Sequence, residues 1–320
     1  MTGLAVTEPA ATGPAVTEPA ATGLAATGLA VPELAVPELA VAGLAVTGLA
    51  VTGLAGTGTW TSLGVRGFAA GRFGAAATAA EYGMRARDRT GFAVRVLAAG
   101  LVLGPQAVPD AIGRCRDLLE TVPGQAGDLR DALAVLLAMS GRHESARDTL
   151  AARAGPGDRV AAAAVEHLAG RWDAVGPALR GGRDGPADGL SPRGRNLLAR
   201  SLLAQERIDA ADDLLRRGTA DALGPATLAD RCGIAARILA ARGRPACALL
   251  LAHSAVATAG RTDSTGGQGL ACLDLAHTYL ALGDGQAARA AATDARRSFG
   301  RKEHLVGVAR ADQLLSATGG

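Results

Sequence analysis

The sequence predicts an all-α protein: a right-handed α-solenoid of short helix pairs over residues 75–320, behind a low-complexity, disordered tract over residues 1–74. Three observations lead there. Beyond about residue 75, apolar residues recur at i, i+3, i+4 and i+7, interrupted every dozen or so residues by Gly, Asp or Pro. No stretch alternates with the period of two that a half-buried strand requires. Aromatic residues make up only 2% of the chain, too few to fill a deep sandwich or barrel core, whereas stacked helix pairs need only a thin one.

Composition narrows the function classes. Ala, Gly, Leu, Val and Arg dominate, and the only lysine is Lys302. Alanine combines the best helix propensity with a side chain small enough for close helix approach. Residues 1–65 hold four acids (Glu8, Glu18, Glu33, Glu38) and no base, so the rest carries a modest positive excess. Its arginines alternate with Asp and Glu, the pattern of solvated helix faces. There is no dense basic run interleaved with aromatics, and direct nucleic-acid binding is not expected. Cys115, Cys232, Cys247 and Cys272 form no CxxC pair. They read as reduced cysteines of a cytoplasmic protein, and the Cys and His spacing offers no zinc site. No metal or cofactor is expected.

Residues 2–56 are a tandem pentapeptide, with units such as TGLAV, TEPAA and PELAV. Gly or Pro in nearly every unit opposes a helix, and no large side chain builds a core, which predicts disorder. Two readings compete. A β-coil of the pentapeptide-repeat type wants a central Leu, but Pro9, Pro14 and Pro19 take that position. A membrane segment over 39–65 has the length and lacks charge, with Trp60 and Arg66 as interfacial anchors, but Ala, Gly and Thr face lipid poorly.

Within the array one motif recurs: LAMSGRHESA (137–146), HLAGRWDAV (167–175), LAQERIDAA (203–211), LAARGRPACA (239–248) and LALGDGQAA (280–288). The turn slot falls at Gly141, Gly170, Glu206, Gly243 and Gly283, at spacings of 29, 36, 37 and 40 residues. Seven residues before each slot stand Ala134, Ala163, Ala199, Ala236 and Ala276; five after it stand Ala146, Val175, Ala211, Ala248 and Ala288. Small residues there let two helices of a pair nestle. The pattern is close to the roughly 34-residue tetratricopeptide repeat. Segments 76–89, 91–103 and 107–121 add an upstream helix and one more pair, 305–315 a terminal capping helix, and 181–189 (GGRDGPADG) a joint.

PDAIGRCRDLLETVP (109–123), the repeats, and ARAAATDARRSFGRKEHLVGVARADQLL (288–315) together resemble the C-terminal tetratricopeptide region of actinobacterial multidomain regulators. These are the adenylate/guanylate cyclase–ATPase and LuxR-type proteins, and the resemblance spans roughly residues 85–316. It implies an array that senses a partner and controls a signalling ATPase. The catalytic halves have no counterpart here. A Walker A motif needs Lys before Ser or Thr, and Lys302 precedes Glu303.

Transferring that register places Asp128, Asp131, Arg193, Asn196, Arg200, Arg237 and His277 on the groove side of the first helix of each pair. Arg193, Asn196, Arg200, Arg237 and His277 form the candidate partner site, with Arg193, Asn196 and Arg200 on one face at i, i+3 and i+7. A positive groove suits an acidic peptide or carboxylate; the competing reading is a solvated face. Asp274 and His277 stand i, i+3 on one helix, but no nucleophile or third ligand accompanies them, so no catalytic residue is expected. Ser140, Ser145 and Ser191 read as turn or capping residues and Trp172 as helix packing. The resulting expectation is a protein–protein interaction module in signalling or transcription regulation. The alternatives are a non-catalytic fragment of a cyclase/ATPase-type regulator acting with its enzymatic domain in trans, and a membrane-tethered scaffold.

Overall fold

A computed structural model describes residues 59–85, 91–121, 126–152, 159–180, 190–218 and 223–318. The pentapeptide tract, and the joint at 181–189, lie outside the described residues. All fifteen elements among the described residues are α-helices. They run as α1 (Thr59–Ala69) with α2 (Phe73–Arg85), α3 (Gly91–Leu103) with α4 (Val108–Thr121), and α5 (Ala126–Met139) with α6 (His143–Ala151). Then follow α7 (Arg159–Leu168) with α8 (Trp172–Arg180), α9 (Pro192–Ala204) with α10 (Ile208–Arg216), and α11 (Pro225–Ala241) with α12 (Pro245–Gly260). The last are α13 (Thr265–Ala281) with α14 (Gly285–Lys302), and α15 (Leu305–Ala317). No helix among the described residues is long and apolar enough to cross a membrane. Helical structure begins at Thr59, ahead of the sequence boundary at 75.

The hairpin turns have one cause. A helix that must reverse at once ends on a residue with left-handed backbone, whose own N–H and the next close back onto the last turn. The five slots read from sequence have φ of 80° (Gly141), 75° (Gly170), 59° (Glu206), 67° (Gly243) and 80° (Gly283). At the first, Gly141 N donates to Ala138 O and Arg142 N to Leu137 O, and the other four repeat this pattern. Glycine takes this conformation freely; Glu206 takes it against its own Cβ. Gly71 (φ 73°) makes the same turn between α1 and α2, two periods before Gly141.

The alanine columns lie where the partners touch. Ala134, Ala163, Ala199, Ala236 and Ala276 are all 0% exposed, as are Ala146, Val175, Ala211 and Ala248, with Ala288 at 1%. Larger buried residues complete the packing: Leu129, Leu136 and Val165 in one cluster, Ile234 and Ile238 in a second, and Phe299 in a third. First helices pack on first helices, α5 on α7, α7 on α9, α9 on α11 and α11 on α13, and so form a continuous inner layer.

That layer returns on itself. Helix α13 touches α3, and α15 touches α5. Two side chains close the contact. Asp263, before α13, accepts from Phe73 N (2.7 Å) and Gly74 N (2.9 Å), the open N–H groups at the start of α2. Lys302, at the end of α14 and 0% exposed, donates Nζ to Leu101 O (3.3 Å), Gly104 O (2.5 Å) and Gln106 O (3.0 Å) around the end of α3. Each helix end thereby receives charge of the sign its dipole favours. Burial lowers the Lys302 ammonium to about 8, with Asp263 opposing the shift.

Lys302→Met keeps the length of the side chain and leaves three carbonyls without their donor. We expect a loss of about 2–4 kcal/mol, read as a lower urea midpoint of the full chain. An unchanged midpoint would show that the closure contributes nothing to stability.

Candidate functional site

Helices α9, α11 and α13 stand side by side in the inner layer, and their polar residues converge. Arg200 of α9 is 6% exposed. Its Nε donates to Asp230 Oδ1 of α11 at 2.6 Å, and its Nη1 and Nη2 donate to the two oxygens of Asp274 on α13, the first at 2.8 Å. This is a bidentate pair supplemented by a third charge-assisted bond. Burial works against both ions. The Asp230 and Asp274 charges nevertheless hold the Arg200 guanidinium above its ordinary range, and Arg200 and Arg237 hold the Asp274 carboxyl below its own. The approach demands a glycine opposite. A Cβ on Gly233 would stand 2.3 Å from Asp274 Oδ2.

The structure brings most of the sequence-derived site residues into this neighbourhood and gives them different duties. Asn196, 1% exposed, donates Nδ2 to Thr227 O at 3.0 Å and so ties α9 to α11. Arg200 is engaged as above. Arg237 of α11 reaches Asp274 Oδ1 only at 3.5 Å and keeps 22% of its side-chain surface. His277 of α13 is half-buried, and its ring makes no hydrogen bond among the described residues. Burial, then the charge of Arg237, push its imidazole down to about 4, against the opposing pull of Asp274. Arg193, half-buried in the first turn of α9, stands apart from the cluster. Farther along the layer, Asp128 pairs with Arg95 at 3.3 Å and Asp131 is 5% exposed.

Three participants are absent from the sequence-derived set. Arg310 of α15 donates Nη2 to His167 O at 2.7 Å, places Nη1 3.3 Å from His167 Nε2, and lies 5.1 Å over the Trp172 ring. His167 Nδ1 stands 2.9 Å from Ser201 Oγ, which donates to Leu197 O. Facing a guanidinium, Nε2 serves as acceptor, so the proton sits on Nδ1 and the imidazole is neutral. Burial and then Arg310 hold His167 well below its ordinary value. The chain Arg310–His167–Ser201 therefore links α15, α7 and α9. Trp172 packs edge-on against His167 at 4.8 Å and is a platform for Arg310 as well as a packing residue. His304 caps α15, its Nδ1 accepting from Gly307 N at 3.1 Å, and burial followed by Arg310 and Lys302 lowers it to about 4. Nothing in local spacing marks Arg310, whose partner lies 143 residues away.

Of the serines, Ser191 caps α9 by accepting from Gly194 N at 3.2 Å, and Ser140 donates to Leu137 O. Cys115 is buried and its thiol is pushed up to about 12, while Cys232, Cys247 and Cys272 are half-buried; all four are free. No group of three His, Cys, Asp or Glu side chains suited to a metal occurs among the described residues.

Two predictions follow from the buried pairs. Asp274→Asn leaves Arg200 facing a neutral amide and should cost about 3–5 kcal/mol. Gly233→Ala, which forces the carboxylate aside, should lower the urea midpoint in the same direction; wild-type stability in both variants would show the cluster to be inert. Acid should also destabilise the fold. His304 and His277 bind protons near 4 when folded and near their ordinary 6.5 when unfolded, so their stabilisation is complete above 6.5 and is lost as pH falls toward 4. His304→Asn retains a capping acceptor and removes one titrating ring. The drop in urea midpoint between about pH 7 and pH 4.5 should be smaller in that variant; an equal drop would sink the assignment.

In comparisons with known proteins, no family model and no curated protein matches the chain.

Proposed function

We propose that the chain is a non-catalytic protein-interaction module: a right-handed superhelix of tetratricopeptide-like pairs that receives an acidic partner segment on its inner layer. The observation carrying this reading is a charge imbalance. Arg200, Arg237 and Arg310 all act on the inner layer, and the carboxylates that answer them are Asp230 and Asp274. Arg200 engages both of those and Arg237 shares Asp274 at 3.5 Å, so two carboxylates answer three arginines, and Arg237, with Arg193 at the start of α9, keeps charge for acidic groups from outside. The repeated left-handed turns and buried alanines support the superhelix, because identical hairpins stacked in one register wind in one direction. The resemblance of residues 85–316 to regulator arrays supports a setting in signalling or transcription control.

Acidic, neutral and basic peptides arrayed at equal density, probed with the full-length chain, test the reading. Acidic peptides should retain the chain, added salt should weaken retention, and Arg193→Glu with Arg237→Gln should reduce it about tenfold or more. Retention indifferent to peptide charge would overturn it.

A further inference from the structure

The turn between α14 and α15 is built against its own chemistry. Glu303 holds left-handed backbone there, with φ of 54° and ψ of 38°. Its N–H closes onto Gly300 O, and the N–H of His304 closes onto Phe299 O. Glycine makes this reversal freely, whereas an L residue makes it against its Cβ. The Glu303 side chain is exposed and makes no hydrogen bond or ion pair among the described residues, so no contact of its own offsets the strain. No Gly or Pro stands between Arg301 and Val306. Right-handed helix running through Glu303 is therefore the easier local conformation, and the fold as a whole imposes the turn. Glu206 is the other left-handed residue among the described residues that is not glycine. There, however, every helix from α10 onward would have to move if the turn opened. Beyond Glu303 only α15 moves, because no helix follows it among the described residues.

What keeps α15 in place is directional more than apolar. The helix buries Gly307, Ala311 and Leu314, a small set for 13 residues, and leaves Leu305 58% exposed. It packs along α14 and touches α13 and α5. Its specific anchor is Arg310, which donates to His167 O at 2.7 Å and lies 5.1 Å over the Trp172 ring. The helix before the turn is fixed independently, since Lys302 Nζ is bonded to the carbonyls at the end of α3. Opening is thus confined to Glu303. A helix with little buried surface beyond a strained reversal leaves easily, and the seat it vacates is shaped for that same helix.

We propose that α15 exchanges between two copies of this chain, giving a domain-swapped dimer in which Glu303 relaxes to right-handed helix and each α15 seats on the other copy. Arg310 of one copy then lies on the His167 carbonyl and Trp172 ring of the other, so the second copy completes each seat. The closed monomer and the swapped dimer make the same α15 contacts. They differ in the backbone at Glu303, which favours the dimer, and in the entropy of association, which favours the monomer and weakens as concentration rises. The exchange stands independently of the acidic-partner reading.

The test is to unfold the full-length chain in urea, refold it at low and at high chain concentration, and resolve the products by size exclusion with light scattering. A dimer is expected at high concentration, slow to dissociate on dilution because α15 must leave its seat first. Glu303→Gly accepts the left-handed turn and should weaken the dimer about fivefold or more. Glu303→Ile resists that turn and tolerates helix, and should strengthen the dimer by a similar factor. A dimer held by an ordinary surface would not shift in opposite directions in the two variants. A monomer at every concentration in all three proteins, or one dimer fraction common to all three, would overturn the exchange. If Glu303→Ile lost its helical circular dichroism, the comparison of wild type with Glu303→Gly would decide alone: a weaker dimer in Glu303→Gly supports the exchange, and an equal one overturns it.

Discussion

The bidentate contact between Arg200 and Asp274 is the constraint around which the inner layer is arranged. It joins α9 to α13 across α11, from which Asp230 completes the cluster. Alanine and leucine packing alone would allow the three helices to slide, because apolar contact is non-directional. A planar guanidinium between two carboxylates fixes distance and rotation together. The need for Gly233 follows, since any larger residue occupies the place of the carboxylate. The commitment of both acids to one arginine follows as well, and it leaves Arg237 and Arg310 with charge to spare.

What could be read from sequence, and what could not, divides by the range of the interaction. The turns at Gly141, Gly170, Gly243 and Gly283 were legible because a left-handed residue has a local signature, and the alanines seven before and five after were legible because helix geometry fixes which residues meet. Even Glu206, without glycine's freedom, could be placed from the residues around it. The turn at Gly71 is less legible, because its neighbourhood, rich in Gly and Ala, continues the composition of the tract before it. The i, i+3, i+7 spacing of Arg193, Asn196 and Arg200 is a local pattern along α9. What Asn196 and Arg200 meet is decided by Asp230, Thr227 and Asp274, on helices whose approach no local pattern encodes. Arg310 and Lys302 are the extreme cases. Each is unremarkable beside its neighbours and finds its partner in a distant helix.

A neutral interior histidine serves this arrangement well. His167 accepts from Arg310 and donates to Ser201, so one ring relays orientation from α15 to α9 without adding charge to a region already positive. Trp172 gives the same guanidinium an apolar, electron-rich face. Among the described residues Trp172 is the ring that keeps company with a cation, while alanine does much of the ordinary packing.

The junction of Asp263 with α2 and Lys302 with α3 has a consequence for how the chain reaches its fold. These bonds join groups about 190 to 200 residues apart. A linear stack of hairpins can grow one hairpin at a time, each stabilised by the last. Here the ends of α2 and α3 stay without their partners until Asp263 and Lys302 have left the ribosome. Loop closure over that distance is entropically costly and late. Folding should therefore finish in a single concerted step after a period in which the early hairpins open and close, and protection of the α2 and α3 amides from exchange should arrive together with that of α14.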